Sequence, residues 1–127
     1  MATRPSFTSG DVFTAANANI LATSIVALNT QAGTAYTAAL TDVGRLVSFT
    51  SGTAVAFTIP ANATVAFSVG DQINVYQAGT ATVTITPAAT VTVRSSGAKL
   101  KTKDQFSVAT CIKIDTNEWI ALGNLSA

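Results

Sequence analysis

The sequence contains no histidine and only one cysteine, Cys111, among its 127 residues. A disulfide framework needs paired cysteines, zinc sites draw on cysteine and histidine ligands, and the Ser-His-Asp triad needs histidine as its base. These three kinds of chemistry are therefore excluded. With no histidine beside it, Cys111 is expected to be a small packed thiol and not a catalytic nucleophile.

Charged residues are also scarce, at 10% of the chain, whereas ordinary soluble domains carry about 25%. Lys and Arg number 7 and Asp and Glu number 6, so the net charge of +1 lacks the basic surplus that nucleic-acid binding requires. Hydrophobic residues make up 48% of the chain, which argues against disorder. A nearly neutral, apolar surface promotes association. We therefore expect an oligomer whose copies cover much of one another's surface, and no nucleic-acid partner.

The chain has no apolar run of the roughly 20 residues that a membrane span requires. An acidic residue, Asp11, also interrupts the region where a secretory signal would have its basic and apolar segments. Polar residues interrupt the most apolar early stretch: Asn17, Asn19, Thr23, Ser24 and Asn29. We expect no membrane insertion, and synthesis in the cytoplasm.

The N-terminal residues divide into two predicted segments. Residues 1–13 show no periodicity and are predicted to form an extended arm with Phe7 as its large apolar anchor. The spacing of the next apolar residues predicts a helix over residues 14–32, ended by Gly33. One stripe of that helix would carry Ala18, Leu21, Ile25, Leu28 and Ala32. Such an uncharged helix needs packing, either on a sheet of its own subunit or in a short bundle between subunits.

From residue 34 to residue 127 the apolar period becomes two, as in Val55, Phe57 and Ile59. Turn residues recur about every ten positions, which predicts seven or eight short strands. The residue types at 115–117, Asp-Thr-Asn, predict a hairpin turn between the last two strands. The predicted fold is mainly β, an antiparallel β-sandwich or jelly-roll-like knob.

The last strand places large apolar residues on both of its faces. Trp119 and Ala121 point one way, and Ile120 and Leu122 point the other. We expect Ile120 and Leu122 to lie in an oligomer interface together with Leu21, Ile25 and Leu28 of the predicted helix. The alternative is that the helix covers the second face within one subunit.

Three sets of side chains are candidate binding groups, and each has a structural interpretation that the residue types favour. The alternating Lys99, Lys101 and Lys103 could bind an anion, but lysines on an edge strand commonly prevent aggregation. Asp115 and Glu118 could share a cation, but turn carboxylates usually cap backbone groups. The third set could form a sugar platform, although core positions suit such residues better: Tyr36, Tyr76 and Trp119.

The strand region also contains an ordered series of short segments. They are residues 40–47 (LTDVGRLV), 58–60 (TIP), 69–73 (VGDQI), 77–79 (QAG), 91–95 (VTVRS), 109–110 (AT), 112–113 (IK) and 118–119 (EW). This series, over roughly residues 34–125, resembles a β-module of tailed bacteriophages that occurs at the ends of tail fibres and in other virion appendage proteins. Residues 7–17 (FTSGDVFTAAN) are similar to the start of many phage structural proteins, where such a segment attaches the protein to the particle.

The resemblance implies a virion component that is not an enzyme, is trimeric, and attaches through its N-terminal arm to capsid or tail proteins. We expect Arg4, Pro5, Phe7, Val12 and Phe13 to make that attachment. The family's module usually ends a much longer fibre, so this chain better fits a short fibre or spike or a capsid decoration protein. We expect no metal and no cofactor. The alternative function is a receptor-recognition module whose loops around Asn62, Gly79 and Asp115 bind a host-surface glycan.

Overall fold

The computed structural model describes residues 28–127 and contains eleven strands in two sheets within that range. The six-stranded sheet has, in spatial order, β1 (Leu28–Gln31), β3 (Leu46–Phe49), β5 (Gln72–Gln77), β9 (Val108–Asp115), β10 (Glu118–Gly123) and β7 (Thr92–Ser95). The five-stranded sheet has β11 (Leu125–Ser126), β8 (Lys101–Thr102), β6 (Val83–Pro87), β4 (Val55–Ile59) and β2 (Ala35–Thr37). Two short 3-10 turns, Leu40–Asp42 and Ser96–Ala98, lie in the connections.

The prediction of a mainly β fold is confirmed, but its antiparallel detail is wrong. Both sheets are mixed: β1, β3 and β5 are parallel in one sheet, and β2, β4 and β6 are parallel in the other. The reason is that consecutive strands alternate between the two sheets, so that neighbours within one sheet run in the same direction. The chain therefore winds as a short two-sheet coil before β8, β9, β10 and β11 add antiparallel pairs. The strands are also shorter and more numerous than predicted.

Related short sequences make the turns that carry the chain from one sheet to the other. Gln31-Ala-Gly-Thr-Ala35 links β1 to β2, and the same five residue types recur as Gln77-Ala-Gly-Thr-Ala81 between β5 and β6. Between them, Ser51-Gly-Thr-Ala54 links β3 to β4. Backbone hydrogen bonds stack these turns: Thr50 N–H donates to the Gln31 carbonyl at 3.1 Å, and Gly79 N–H donates to the Phe49 carbonyl at 2.9 Å. This repeat in the sequence therefore indicates that the chain passes between the sheets by equivalent turns, which leaves β1 to β6 parallel within each sheet.

Gly79 is required by this stacking because its backbone lies directly against the preceding turn. A Cβ atom at this position would lie 2.3 Å from the Ser51 carbonyl oxygen and 2.6 Å from the Thr50 carbonyl carbon. Contacts that short do not occur in folded proteins, so a side chain here would force the turns apart. At Gly33, the equivalent residue of the first repeat, the closest described atom to such a Cβ is the Ala35 carbonyl oxygen at 4.0 Å.

The predicted helix over residues 14–32 needs correction at its C-terminal end, where Leu28–Gln31 form strand β1. Leu28 pairs with Leu46 in parallel register, and the Asn29 side chain donates hydrogen bonds to Asp42 Oδ1 at 2.9 Å and to the Tyr36 hydroxyl at 3.0 Å. These pairings explain why the local helical spacing does not decide the structure of these residues. The arm over residues 1–13 and the rest of the predicted helix lie outside the described residues.

The core lies between the two sheets. Phe49 and Phe57 from facing sheets meet edge to face with ring centroids 5.8 Å apart, and Trp119 meets Phe67 in the same way at 5.3 Å. Trp119 and Ala121 are buried, as the alternation in the last strand predicts, and the hairpin turn between β9 and β10 is also confirmed. Cys111 is fully buried, as expected of a packed thiol, and this burial raises its pKa to about 12.

Candidate interaction face

The outward side of the six-stranded sheet carries a broad set of large apolar side chains, which we name the apolar outer face. It comprises Leu28, Leu46, Tyr76, Val108, Ile112, Ile114, Ile120 and Leu122. Each of these residues alternates along its strand with an inward-facing neighbour, as Ile120 does with the buried Trp119 and Ala121. Leu28, Leu122, Val108 and Ile114 remain 63%, 50%, 41% and 41% exposed.

The register of the strands pairs several of these side chains, with polar outward residues of β5 and β9 between the pairs: Gln72, Asn74 and Thr110. Ile120 lies directly opposite Ile112 on the neighbouring strand, Val108 lies opposite Tyr76, and Leu46 lies opposite Leu28. Four strand spacings separate β1 from β10, so the surface extends about 19 Å across the sheet. A side of a sheet with this many exposed large apolar residues is a candidate protein interaction site.

Within the described strands, the charged residues on this side of the sheet lie at one edge. Arg94 on β7 and Glu118 on β10 form an ion pair with each other. Because the two charges neutralise one another, they leave the apolar outer face without a net charge of either sign. Such a face is suited to another uncharged apolar surface and not to a strongly acidic or basic partner.

The outward side of the five-stranded sheet has a different composition. Its side chains are small or hydroxylated, apart from one lysine: Ala35, Thr37, Ala56, Thr58, Thr84, Thr86 and Lys101. Threonine favours strands through its branched Cβ and can still contact water through its hydroxyl. Burying the outward side of the six-stranded sheet away from water would therefore release more free energy than burying the outward side of the five-stranded sheet.

Three of the residues predicted to form an oligomer interface lie on the apolar outer face: Leu28, Ile120 and Leu122. The other two, Leu21 and Ile25, lie outside the described residues, as do the predicted attachment residues Arg4, Pro5, Phe7, Val12 and Phe13. Sequence reasoning did not include Val108, Ile112 and Ile114 in the interface. Their alternation with buried Ala109 and Cys111 is the signal that identifies them.

The loops proposed as glycan-binding do not meet at one place. Asn62 lies beside the β9–β10 hairpin, because its N–H donates to Asn117 Oδ1 at 2.9 Å. Gly79 follows β5 at the other end, since β5 begins opposite Ile112 near the hairpin and runs away from it. The three aromatic residues are also apart: Trp119 is in the core, Tyr36 stacks on Phe57, and Tyr76 is on the apolar outer face.

The lysine series also differs from the expectation of an edge strand. Lys99, Lys101 and Lys103 are exposed, but Lys101 belongs to β8, which lies between β6 and β11. Pairing with the two-residue strand β11 covers the edge that β8 was expected to present. No feature of the sequence predicts a strand as short as β11.

Two further acidic residues accept hydrogen bonds from nearby groups, and no three His, Cys, Asp or Glu residues in the range 28–127 are grouped as metal ligands would be. Asp115 Oδ1 accepts a hydrogen bond from Thr116 N–H at 2.8 Å, as expected of a turn carboxylate. Asp42 is buried and accepts hydrogen bonds from the Tyr36 hydroxyl at 2.6 Å and from Ala39 N–H at 2.9 Å. Burial and this carboxylate raise the pKa of Tyr36 to about 12.

A buried lysine is the charged group that sequence reasoning missed. Lys113 is 2% exposed, and its Nζ donates hydrogen bonds to Asn62 Oδ1 at 2.6 Å and to the Phe67 carbonyl at 2.7 Å. Fully buried lysines are rare because the ammonium group loses its hydration. The period-two pattern does place Lys113 on the inward side of β9 with Ala109 and Cys111, and this is the signal that could have identified it.

Comparisons with protein-family models, with curated protein sequences and with solved structures found no match to this chain. Within residues 28–127, none of the helical segments has the length and apolarity that a membrane crossing would need.

Proposed function

We propose that this chain is a structural protein of a bacteriophage virion, which assembles with copies of itself, as a homotrimer, through the apolar outer face. The observation that carries the proposal is that face itself, with Leu28, Ile120 and Leu122 exposed or half-buried on a sheet whose opposite side packs on the core. The work of such a protein is to pack, and catalysis has no part in it.

A second copy of the same chain is the occupant that fits this face best. The face has no net charge, because its edge charges, Arg94 and Glu118, pair within one subunit. A partner of the same composition brings no unmatched charge, whereas a nucleic acid or an acidic peptide would. The low overall charge of 10% supports the same conclusion, since copies that cover each other need fewer charged residues to stay soluble.

The virion location is supported by the resemblance of the strand segments to the phage appendage module. The resemblance of residues 7–17 to phage attachment segments supports docking of the N-terminal arm on a capsid or tail protein. In this arrangement the protein is a short fibre or spike or a capsid decoration, made in the host cytoplasm and carried on the particle.

Light scattering after size-exclusion chromatography tests the assembly. The natural chain is expected to be a trimer at micromolar concentration, and Ile120→Lys is expected to give monomers because it places a charge in the interface. Thr86→Lys, on the outward side of the other sheet, is the matched control and should leave the trimer intact. A natural chain that stays monomeric would contradict the proposal.

Incorporation into particles tests the location. Deletion of residues 2–13 should leave a folded oligomer that is absent from purified particles, because the attachment residues are gone. Immunoblotting of gradient-purified particles measures this directly. Undiminished incorporation would rule out the arm as the attachment segment.

A further inference from the structure

The contact between buried Lys113 and half-buried Asn62 has no part in the assembly proposed above. Lys113 projects from β9 into the interior, and its Nζ lies 2.6 Å from Asn62 Oδ1. Asn62 belongs to the connection between β4 and β5, so the contact joins two segments that are distant in sequence. The geometry brings an amine to within one hydrogen-bond length of a carboxamide.

The structure holds both partners in place on more than one side. The Lys113 amine also donates to the Phe67 carbonyl at 2.7 Å, and Asn62 is fixed through its backbone N–H, which donates to Asn117 Oδ1 at 2.9 Å. Holding two reacting groups in contact replaces a bimolecular encounter with an intramolecular one, and this lowers the entropic barrier to their reaction.

A carboxylate lies across the strand pair from Lys113, on the same inward side of the sheet; it forms no ion pair with the Lys113 amine and accepts a hydrogen bond from Ser68 N–H at 2.9 Å. Asp71 is 8% exposed, and its carbonyl accepts a hydrogen bond from Lys113 N–H at 3.0 Å, while Gly70 N–H donates to the Lys113 carbonyl at 2.7 Å. Gly70, with φ of 95°, and Asp71 together oppose Lys113 in a β-bulge. This bulge makes the side chains of Asp71 and Lys113 cross-strand neighbours, whose Cβ atoms are typically about 5 Å apart.

Aromatic side chains close the site on the interior side. Trp119 lies directly opposite Lys113 on β10 and is 1% exposed, and Phe67 packs against it edge to face. These rings shield the amine of Lys113, which is 2% exposed, while Asn62 is half-buried.

We propose that Lys113 and Asn62 form an intramolecular isopeptide bond. The Lys113 ammonium gives up a proton, with the Asp71 carboxylate as the acceptor once the Asp71 side chain turns towards the amine, and the Nζ lone pair attacks Cγ of Asn62. A bond forms between Nζ and Cγ, a second proton passes from Nζ to Nδ2, and the bond between Cγ and Nδ2 breaks, so that Nδ2 leaves as ammonia and takes up the proton held by Asp71. The reaction consumes no oxidant, reductant or cofactor, and the product amide has no charge to keep buried.

The bond would tie β9 covalently to the β4–β5 connection and close the chain between residues 62 and 113 into a loop. Cross-links of this kind stabilise proteins mainly by restricting the unfolded chain. A sandwich with so few charged residues and no disulfide would gain resistance to unfolding by this route.

The intact mass of the purified full-length chain tests the proposal. We expect a mass lower than that of the sequence by one ammonia, and a proteolytic fragment in which the peptides containing Asn62 and Lys113 are joined. A chain of full mass would overturn the proposal, and so would an ammonia loss located elsewhere, such as cyclisation at another asparagine. This measurement requires no variant, so it stands even where a substitution prevents folding.

Variants then assign the roles of the three side chains. Lys113→Met and Asn62→Ala should each have the full mass expected for their sequences, whereas Lys103→Met, at an exposed lysine, should retain the loss of ammonia. Asp71→Asn keeps both reacting groups and should abolish the cross-link. If Asp71→Asn still lost ammonia, the proton-transfer role of Asp71 would be wrong while the bond itself stood.

Discussion

The outward sides of the two sheets are built from different residues, although the sheets face one core and follow the same winding of the chain. On the six-stranded sheet the outward residues include Ile112, Ile120 and Leu122, whereas on the five-stranded sheet they include Thr58, Thr84 and Thr86. Both kinds of residue favour strands, so folding alone does not require the difference. What differs is the free energy released when the side chains are buried away from water, which is larger for the apolar outer face. We therefore expect another protein surface to cover that face.

The largest expected effect is a difference in stability between substitutions at two neighbouring residues of β10, one facing the core and one facing outward. Trp119→Ala should lower the free energy of unfolding by about 3–5 kcal/mol, because it removes the largest buried side chain of the core. Ile120→Ala, one residue later and outward-facing, should cost the isolated subunit about 1 kcal/mol or less and should weaken assembly instead. Urea unfolding at a protein concentration below the association range measures the first effect, and light scattering measures the second.

Equal losses of subunit stability for the two variants would contradict the comparison. They would mean that Ile120 is already covered within its own subunit, which is the alternative that the sequence left open for the predicted helix.

The sequence was sufficient for the part of the fold that alternation controls. The pattern around Trp119 and Ile120 identified the two sides of β10, and the turn at residues 115–117 identified the hairpin. The winding was missed because a period of two tells which side a residue faces and nothing about which strand lies next to it. The repeat of Gln-Ala-Gly-Thr-Ala at residues 31–35 and 77–81 carries that information, because equivalent turns stack.

The candidate face was predictable only in part for the same reason. Ile120 and Leu122 stand out within one strand, but their union with Leu28, at the far side of the sheet, depends on strand order. The helical spacing of Leu21, Ile25 and Leu28 also competed with the strand pairing of Leu28 to Leu46, and the long-range pairing decides the structure there. Lys113 was missed because a single charged residue in a strand is ordinarily assigned to the outward side.

The next effect concerns the turns that connect the two sheets. Gly79→Ala should lower the free energy of unfolding by about 1–3 kcal/mol, because its Cβ would overlap the backbone of Thr50 and Ser51. Gly33→Ala, at the same place in the first repeat, is the matched control and should change stability by about 0.5 kcal/mol or less. Thermal or urea unfolding of the two variants measures the difference. Equal effects would mean that the turns do not stack as described.

The last effect is an alkaline loss of stability that comes from two inward-facing groups. Burial raises the pKa of Cys111 from 9.0 to about 12, so the folded chain keeps a proton that the unfolded chain releases above about pH 9. The thiol's contribution to stability is therefore complete below pH 9 and is lost progressively as the pH rises towards 12. Tyr36, raised from 10.0 to about 12 by burial and by Asp42, contributes in the same direction.

Unfolding free energies measured across this pH range should fall with a slope that Cys111→Ala and Tyr36→Phe each reduce. Val108→Ala, on the outward side of the same strand as Cys111, carries no titratable group and should leave the slope unchanged. If Cys111→Ala left the slope intact, the thiol would have to be accessible to water in the folded chain. The inward side of β9 would then be packed less completely than the alternation of inward and outward residues along this strand implies.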